Sequence, residues 1–357
     1  MKKMFAMILA AACAFCMSIC AYAEPSDASG AEQPQSLLVL GDSIAAGYGL
    51  KNYNPSDLYK TTSFGNLLAK DYGLKDTYRN FGHDGLTSWE LLDNLRAGQY
   101  DDYLNSDVIV ISIGGNDLLG ELFNFIQNDL YGGEISAETL SPEVMRDKGV
   151  IAKFGKALAK MALNLANLDD HIDGITAYIR EKNPTSNLIL LTLYNPLEEF
   201  NDVPLIQNST TKNIAALNET ITRCSKNDDG GVVYTVADVA AAFSGRNTEL
   251  TNIKQADIHP NAAGHALIKE VVSRHIDAFD YANPPAAPLP QAHTAAVTTN
   301  TAEHPANTAP PAEAQQTFAP QQTPQPEDAP TNPALIAVCA IAGLAALGVA
   351  LRIKLRK

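Results

Sequence analysis

Cysteine is scarce in this 357-residue chain, so disulfide bonds do not hold its folded part together. Of the five cysteines, three fall within the first 20 residues and Cys339 lies in an apolar run near the C-terminus. Cys224 is therefore alone in the rest of the chain, and a single cysteine cannot form an intramolecular bridge. A lone cysteine is more often a small buried apolar residue than a nucleophile, so we expect Cys224 to be buried.

Positive charge is also in short supply. The chain has 26 Lys and Arg residues against 40 Asp and Glu residues, which gives a formal net charge of −14. A strongly negative protein repels phosphate backbones and anionic surfaces. We therefore expect no nucleic-acid partner.

Sequence patterns that bind nucleotides or metal ions are missing as well. The stretch Gly41 to Gly49 is rich in glycine but has neither the G-x-G-x-x-G spacing nor the lysine of a phosphate-binding loop. The G-x-S-x-G pattern of α/β-hydrolases is absent too, because Ala45 stands where its last glycine should be. His259 and His265 are six residues apart, which is not a metal-ligand spacing on a helix. We expect no cofactor and no metal ion.

The N-terminus is typical of an exported protein. Lys2 and Lys3 precede an apolar run, and Ala21-Tyr22-Ala23 follows it. This combination of charged, apolar and A-x-A regions predicts a secretory signal peptide over residues 1–23.

The C-terminus resembles a membrane anchor. Residues 334–351 carry no charge and come close to the ~20 residues that cross a bilayer, and the tail at 352–357 is basic. Because basic flanks stay in the cytoplasm, we expect a single transmembrane helix with the rest of the chain on the cell surface. A sortase signal has the same layout and stays an alternative, although residues 329–333 are not a good sorting motif.

Proline divides the remainder of the chain into two parts. Twelve of the 20 prolines fall in residues 284–333, together with Ala, Thr and Gln and few large apolar residues. Such a segment cannot bury enough surface to fold, so it predicts a disordered stalk. Residues 35–281 are long enough for one sizeable domain.

Short apolar runs alternate with helical patterns along that domain. The helical stretches include Phe64–Tyr72 and a long one at Phe154–Glu181, whereas residues 120–153 fit poorly and are either a lid or a plain surface insertion. The predicted strands are Ser36–Leu40, Tyr78–Phe81, Asp107–Ile113, Asn187–Tyr194 and Val232–Val236. This alternation predicts an α/β fold with a parallel sheet and helices on both faces.

Polar loops follow the first three predicted strands, and one more comes after the last. They read Gly41-Asp42-Ser43, Asn80 to Thr87, Gly114 to Asp117, and Asp257 to Asn261. Because ligands bind at the carboxyl ends of parallel strands, we expect the four loops to converge on one crevice.

The four loops contain the groups that acyl transfer requires. A serine hydroxyl needs a base within hydrogen-bond reach, and histidine is the usual base near neutral pH. The tetrahedral intermediate needs donors aimed at its oxyanion, and a carboxylate can orient the histidine. Asp42 and Asp117 are expected to support the loops rather than to react.

Those residues resemble the four sequence blocks of the SGNH (GDSL) hydrolases, in order and over nearly the whole predicted domain. The resemblance implies a flavodoxin-like three-layer α/β/α sandwich and a serine ester hydrolase of the esterase or lipase type. It also implies Ser43 as nucleophile, His259 as base, and an oxyanion hole made by the Ser43 N–H, the Gly85 N–H and the Asn116 side chain.

One departure from the family concerns the acid. The family usually places it three residues before the histidine, where this chain has Ala256, and the nearest carboxylate is Asp257, two residues before. We predict Asp257 as the acid, with a Ser43–His259 pair helped by a backbone carbonyl as the alternative. Asp238 is a second candidate acid, although it is better explained as a helix cap.

The sequence therefore predicts an extracellular, membrane-tethered hydrolase of acyl esters in lipids or glycans, acting through an acyl-enzyme. The walls of its pocket are expected from residues 120–153 and 195–210. The alternative is a surface-displayed binding or adhesion module on a hydrolase fold, with weak or no catalysis, because fold alone does not settle function.

Overall fold

A five-stranded parallel sheet forms the centre of the protein. The computed structural model describes residues 32–124, 148–196, 198, 211–253 and 257–291. The strands of the sheet are β1 (Leu37–Gly41), β2 (Tyr78–Gly82), β3 (Val108–Ser112), β4 (Asn187–Leu191) and β5 (Thr235–Ala237). Their order in the sheet is β2-β1-β3-β4-β5, and every pair is parallel.

The interior strands are covered on both faces. Every residue of β1, β3 and β4 is buried, although side chains alternate between the two faces. Runs of Val, Ile and Leu suit such strands, and this is why all five strands could be located from the sequence. Most predicted bounds differ from the structure by one residue at most, but two are wrong by three residues, since β4 ends at Leu191 rather than Tyr194 and β5 starts at Thr235 rather than Val232. Val232 instead forms an isolated bridge with Lys226.

The helices form two packed groups. In chain order they are α1 (Ser43–Ala46), α2 (Phe64–Asp71), α3 (Ser88–Arg96), α4 (Gly115–Asn124), α5 (Lys148–Ala166), α6 (Leu168–Lys182), α7 (Lys212–Arg223), α8 (Val239–Phe243), α9 (Asn247–Leu250) and α10 (Ala262–Asp277). One group joins α3 to α6, α4 to α5, and α6 to α5 and α7, while the other joins α10 to α2, α8 and α9. Crossovers between parallel strands of one sheet are almost always right-handed, and for this strand order that hand puts the two groups on opposite faces of the sheet. The strand order and the two helix groups together confirm the three-layer α/β/α fold.

The long helix predicted at Phe154–Glu181 is two helices. The first, α5, ends at Ala166 and the second, α6, begins at Leu168, with Asn167 between them. Asp169 and Asp170 lie in the first turn of α6, where negative charge stabilises a helix N-terminus. The single-helix prediction was wrong because apolar residues keep helical spacing across the break.

The chain crosses from one half of the sheet to the other between β2 and β3. Strand β2 lies on one side of β1 and β3 on the other, and Gly41 at the end of β1 is level with Gly82 and Ser112. Ligands of open α/β sheets bind at such a switch point, outside the carboxyl ends of the strands. The fold therefore brings the first three polar loops to one place.

Residues 284–291, the first part of the predicted stalk, lie against the domain. The Ala287 N–H donates to the Pro184 carbonyl at 2.8 Å, and the Asn227 side chain donates to the Leu289 carbonyl at 2.9 Å. The Gln291 N–H donates to the Asn227 side chain at 3.1 Å. Hydrogen bonding thus extends the packed region to residue 291.

Several predicted segments lie outside the described residues. They are the signal peptide (1–23), the stalk beyond 291, the anchor (334–351), the basic tail, and most of the lid and pocket-wall segments at 120–153 and 195–210. Within the part of the chain that is described, no helix combines the length and the apolar character needed to cross a bilayer. Cys224 is fully buried, as expected, and burial raises the pKa of its thiol to about 12.

Candidate active site

Ser43 lies at the point where β1 turns into α1. Gly41 ends the strand with φ +131°, and a Cβ atom there would lie 1.9 Å from the Ser112 carbonyl oxygen. Only glycine fits so close to the neighbouring strand. Ser43 follows two residues later as the first residue of α1, and it is 9% exposed.

Asp42 holds this turn in place, as expected from the sequence. Its Oδ1 accepts hydrogen bonds from the Ile44 N–H at 3.0 Å and the Ser112 hydroxyl at 3.1 Å. Burial raises the pKa of Asp42 to about 6 despite these hydrogen bonds and the charge of His259. Asp42 is thus an N-cap that also links β1 to β3.

His259 connects Ser43 to Asp257. The His259 Nε2 lies 2.9 Å from the Ser43 Oγ, although the two residues are 216 positions apart in the sequence. The His259 Nδ1 lies 2.5 Å from the Asp257 Oδ1. The three side chains form a continuous hydrogen-bonded relay at the carboxyl edge of the sheet.

Asp257 reaches the imidazole in spite of its unusual spacing, because a tight turn carries it there. The same Oδ1 also accepts the His259 backbone N–H at 3.0 Å, and the Asn252 side chain donates to Oδ2 at 3.3 Å. A side-chain oxygen bonded to the N–H two residues on is the geometry of an Asx-turn. Burial alone would raise the pKa of Asp257, but the hydrogen bonds and charge of His259 hold it below its ordinary value.

Asp238, the other candidate acid, has a different role. Its Oδ1 accepts the Ala241 N–H at 3.0 Å and the Thr192 hydroxyl at 3.0 Å. It therefore caps α8, as the alternative interpretation of the sequence expected.

The second loop is held against the first. The Asn80 side chain donates to the Ala45 carbonyl at 2.9 Å and accepts the Gly82 N–H at 2.8 Å. The His83 N–H donates to the Gly41 carbonyl at 2.8 Å. Gly85, with φ +80°, completes the turn that follows.

Asn116, on the third loop, contacts the second loop directly. Its Nδ2 donates to the Leu86 carbonyl at 2.9 Å, which leaves the other amide hydrogen for a further acceptor. The N–H groups of Ser43 and Gly85 have no acceptor in the described part of the chain. The three predicted oxyanion donors thus lie on neighbouring loops with hydrogen atoms to spare.

Sequence reasoning missed the contribution of Tyr48 and Gly49. The Tyr48 ring centroid is 4.5 Å from that of His259, and the Gly49 carbonyl accepts a hydrogen bond from Asn252 at 3.3 Å. A Cβ atom on Gly49 would lie 2.7 Å from the Asp257 Oδ2. The Gly-Tyr-Gly run after the serine indicated a tight turn. It did not indicate what the turn contacts, because that loop lies about 200 residues further on.

A groove of about 620 Å³ adjoins the second loop. Its walls include Gly82, His83 and Leu86 of that loop, aromatic rings, and side-chain amides. The rings belong to Tyr59, Phe81 and Tyr100, and the amides to Asn94 and Gln99. The groove shares Gly82, His83 and Leu86 with the loop that carries Gly85, whereas Ser43, Asn116 and His259 do not line it.

Two other histidines, His265 and His83, lie near these loops. His265 is fully buried, its Nδ1 accepts the Phe64 N–H at 3.2 Å, and burial lowers its pKa to about 3. His83 is exposed. The residues that the structure describes contain no cluster of three or more His, Cys, Asp or Glu side chains arranged to hold a metal ion.

Comparison with known proteins shows the family of the chain. The model of the GDSL-like Lipase/Acylhydrolase family matches residues 39–267, which is more than half of the chain. A search of curated proteins found no match.

Solved structures similar to this chain include three lipolytic enzymes. A lipase, Lip_vut3, from a goat rumen metagenome is 23% identical, with 67% of this chain and 96% of that chain covered and a TM-score of 0.45. Phospholipase A1 from Streptomyces albidoflavus NA297 is 18% identical, with coverages of 68% and 99% and a TM-score of 0.48. A lipase/acylhydrolase from Enterococcus faecalis is 16% identical, with coverages of 72% and 100% and a TM-score of 0.41.

Replacing Gly49 with alanine tests whether its close approach to Asp257 matters. The new Cβ would lie 2.7 Å from the Asp257 Oδ2 and 2.9 Å from the Asn252 Nδ2, so both side chains must move. Since a displacement of about 1 Å can cost roughly 100-fold in rate, we expect kcat for a chromogenic ester to fall about 100-fold in Gly49→Ala.

The matched control is Gly73→Ala. Gly73 also has a positive φ, +70°, but a Cβ atom there meets nothing within 4 Å. It should lose stability from the same backbone strain and keep its kcat. Equal kcat values for the two variants would contradict a role for the Gly49 contact.

Proposed function

The chain belongs to the GDSL-like lipase/acylhydrolase family, and we propose that it hydrolyses carboxylic esters with Ser43 as its nucleophile. The family itself indicates a hydrolase of ester substrates. The observation that supports Ser43 is the relay in which His259 lies 2.9 Å from the Ser43 Oγ and 2.5 Å from the Asp257 Oδ1.

In the proposed first half-reaction, the Ser43 Oγ attacks the acyl carbonyl carbon. The His259 Nε2 takes the hydroxyl proton as the new C–O bond forms, and the carbonyl oxygen becomes an oxyanion. Asp257 keeps the His259 Nδ1 protonated and stabilises the imidazolium. When the intermediate collapses, the ester C–O bond breaks and His259 gives the proton to the leaving alcohol.

Water completes the cycle by attacking the acyl-Ser43 ester. His259 removes one proton from the water, a second oxyanion forms, and the bond to the Ser43 Oγ breaks. The proton then returns to Ser43 and the carboxylic acid leaves. No cofactor is needed for either half-reaction.

Three donors are proposed to stabilise the oxyanion: the Ser43 N–H, the Gly85 N–H and the Asn116 side-chain amide. Two features support them. Each keeps at least one hydrogen that has no protein acceptor in the described part of the chain, and the Leu86 carbonyl, which accepts the other Asn116 amide hydrogen, fixes the orientation of that amide. Donors that are already in place cost no reorganisation when charge develops.

The proposed substrate is an acyl ester of a lipid or a glycan. Support comes from the groove of about 620 Å³ beside the second loop, which lies next to the proposed donor Gly85 but does not include Ser43. Aromatic rings and side-chain amides line it together, so it can contact both apolar and hydroxyl-bearing groups. We propose that an acyl or alcohol part extending beyond the reacting carbonyl binds in this groove.

The alternative of a binding module without catalysis has lost its main support. It rested on Ala256 standing where the family usually has its acid. Because the Asp257 carboxylate lies beside the imidazole through its tight turn, the Ala256 departure no longer favours the binding module. Hydrolytic turnover remains the measurement that separates the two functions.

We also propose that the domain acts outside the cell, tethered through residues 334–351. The proposal rests on sequence alone: the signal peptide at 1–23, the apolar run and the basic tail. Its consequence is that the ester substrate would be extracellular or part of the cell envelope.

A fluorophosphonate probe tests the nucleophile, because it reacts with activated serine hydroxyls. We expect the wild-type protein to be labelled and Ser43→Ala to be unlabelled, since the Oγ beside His259 is then missing. The exposed Ser244, away from the relay, provides a control, and Ser244→Ala should label normally. A folded wild-type protein that fails to label would remove Ser43 as nucleophile and favour the binding module.

Asp257→Asn tests the acid. An amide in place of the carboxylate no longer holds the correct imidazole tautomer, so we expect kcat for ester hydrolysis to fall by about 10⁴-fold with little change in KM. Asp238→Asn is the matched control, because Asn also caps helices well, and it should keep nearly full activity. Near wild-type turnover by Asp257→Asn would exclude Asp257 from the relay.

Deleting residues 334–351 tests the tether. If this run anchors the protein, the truncated protein should appear in the culture medium with its esterase activity intact. The full-length protein should fractionate with membranes. Retention of the truncated protein in the membrane fraction would contradict the proposal.

A further inference from the structure

The buried Ser88 and Asp117 and the half-buried His171 form a polar cluster behind the second and third loops, called here the Asp117 cluster. The Ser88 N–H donates to the Asp117 Oδ2 at 2.9 Å, and the Ser88 hydroxyl donates to the Asp117 Oδ1 at 2.5 Å. The Ser88 Oγ also lies 2.8 Å from the His171 Nδ1. Ser88 alone thus donates hydrogen bonds to both oxygens of the Asp117 carboxylate.

The hydrogen-bond pattern indicates the protons. A serine hydroxyl has one hydrogen, and here Asp117 accepts it, so the His171 Nδ1 must donate to the Ser88 Oγ. Burial raises the pKa of Asp117 and lowers the pKa of His171. The hydrogen-bond network runs from His171 on α6, through Ser88 on α3, to Asp117 on α4.

The Asp117 cluster is not a second nucleophilic site, although it contains a serine, a histidine and a carboxylate. Ser88 has an exposure of 0% and Asp117 of 3%, so a substrate carbonyl cannot reach the hydroxyl. The histidine and the carboxylate also both contact the serine directly, whereas in the relay at Ser43 the carboxylate contacts the histidine. A structural role in holding the loops remains.

The position of the cluster in the chain suggests what it holds. Ser88 is the first residue of α3, three residues after Gly85, and Asp117 directly follows Asn116. Asn116 in turn donates to the Leu86 carbonyl at 2.9 Å. Two links therefore join the loops that carry Gly85 and Asn116. The first is the hydrogen bond from Asn116 to Leu86, and the second is the buried pair of hydrogen bonds from Ser88 to Asp117.

We infer that Asp117 is a positioning residue that, through its two hydrogen bonds with Ser88, sets the separation of the Gly85 N–H and the Asn116 amide. This inference rests on the proposed function of those two donors. Asp117 does not touch the substrate, and it acts only through the loop residues beside it.

The expected effect of losing this link appears in kcat rather than in KM. Oxyanion donors act on charge that develops in the transition state, and removing one costs roughly 100- to 1,000-fold in kcat. A misplaced donor should cost less than a missing one. We therefore expect Asp117→Asn, which can accept only one of the two Ser88 hydrogen bonds, to lower kcat at least about tenfold with KM changed less than about twofold.

A double-mutant cycle in the full-length protein provides the test. The variants are Asp117→Asn, Asn116→Ala and both together, assayed with a chromogenic ester. If Asp117 acts through Asn116, Asp117→Asn should lower kcat in the wild-type background and change it much less in the Asn116→Ala background. Affinity for a trifluoromethyl ketone, which forms an oxyanion adduct, should fall in parallel with kcat.

Thr176→Ala is the matched control for lost stability. Thr176 is a fully buried polar residue of α6 that donates to the Ile172 carbonyl at 2.8 Å and does not contact the Asp117 cluster. It should lower the unfolding temperature and leave kcat unchanged. If Asp117→Asn does not fold, Ser88→Ala, which keeps the backbone hydrogen bond, replaces it in the cycle.

Two outcomes would overturn the inference. The first is a folded Asp117→Asn protein with kcat within twofold of wild type. The second is an equal loss of kcat in both backgrounds, which a general structural role would produce. Failure of the proposed function is distinguishable, because it would appear as no Ser43-dependent turnover in the wild-type protein.

Discussion

The level at which β1, β2 and β3 end determines where every group of the candidate site lies. Parallel pairing sets Gly41 beside Gly82 and Ser112, and the backbones approach so closely that no side chain fits at Gly41. Because the three strands end at the same level, the loops that follow them start side by side at one edge of the sheet. A one-residue slip of β1 would reverse the faces of its side chains and move Ser43 away from His259.

Two buried carboxylates, Asp42 and Asp117, stabilise the loops at this edge of the sheet. Asp42 links the turn at Ser43 to β3, and Asp117 links the third loop to the start of α3. Both are almost fully buried, and burial raises the pKa of each. Buried carboxylates are stable only when donors surround them, so each also restricts the residues that can stand beside it. Precision at the site thus depends on groups that never meet the substrate.

The sequence predicted what local patterns encode. Buried strands appeared as short apolar runs, and the polar loops after them predicted side chains that the structure brings together, among them Asp257 beside His259. The break at Asn167 was missed because apolar spacing continues through it. Contacts between distant residues were also out of reach, such as Ser88 with His171, 83 positions away, or Gly49 with the loop that carries Asp257. Tertiary packing sets these contacts, and no local pattern reports them.

The position of residues 284–291 shows at which edge of the sheet the chain leaves the domain. They run past Pro184 and Asn227, which come before β4 and β5, so they lie at the amino ends of the strands. The chain enters β1 at that same edge. The described chain therefore begins and ends on the side of the domain opposite the crevice. A tether attached at either of these two ends would leave the crevice on the far side of the domain from the attachment.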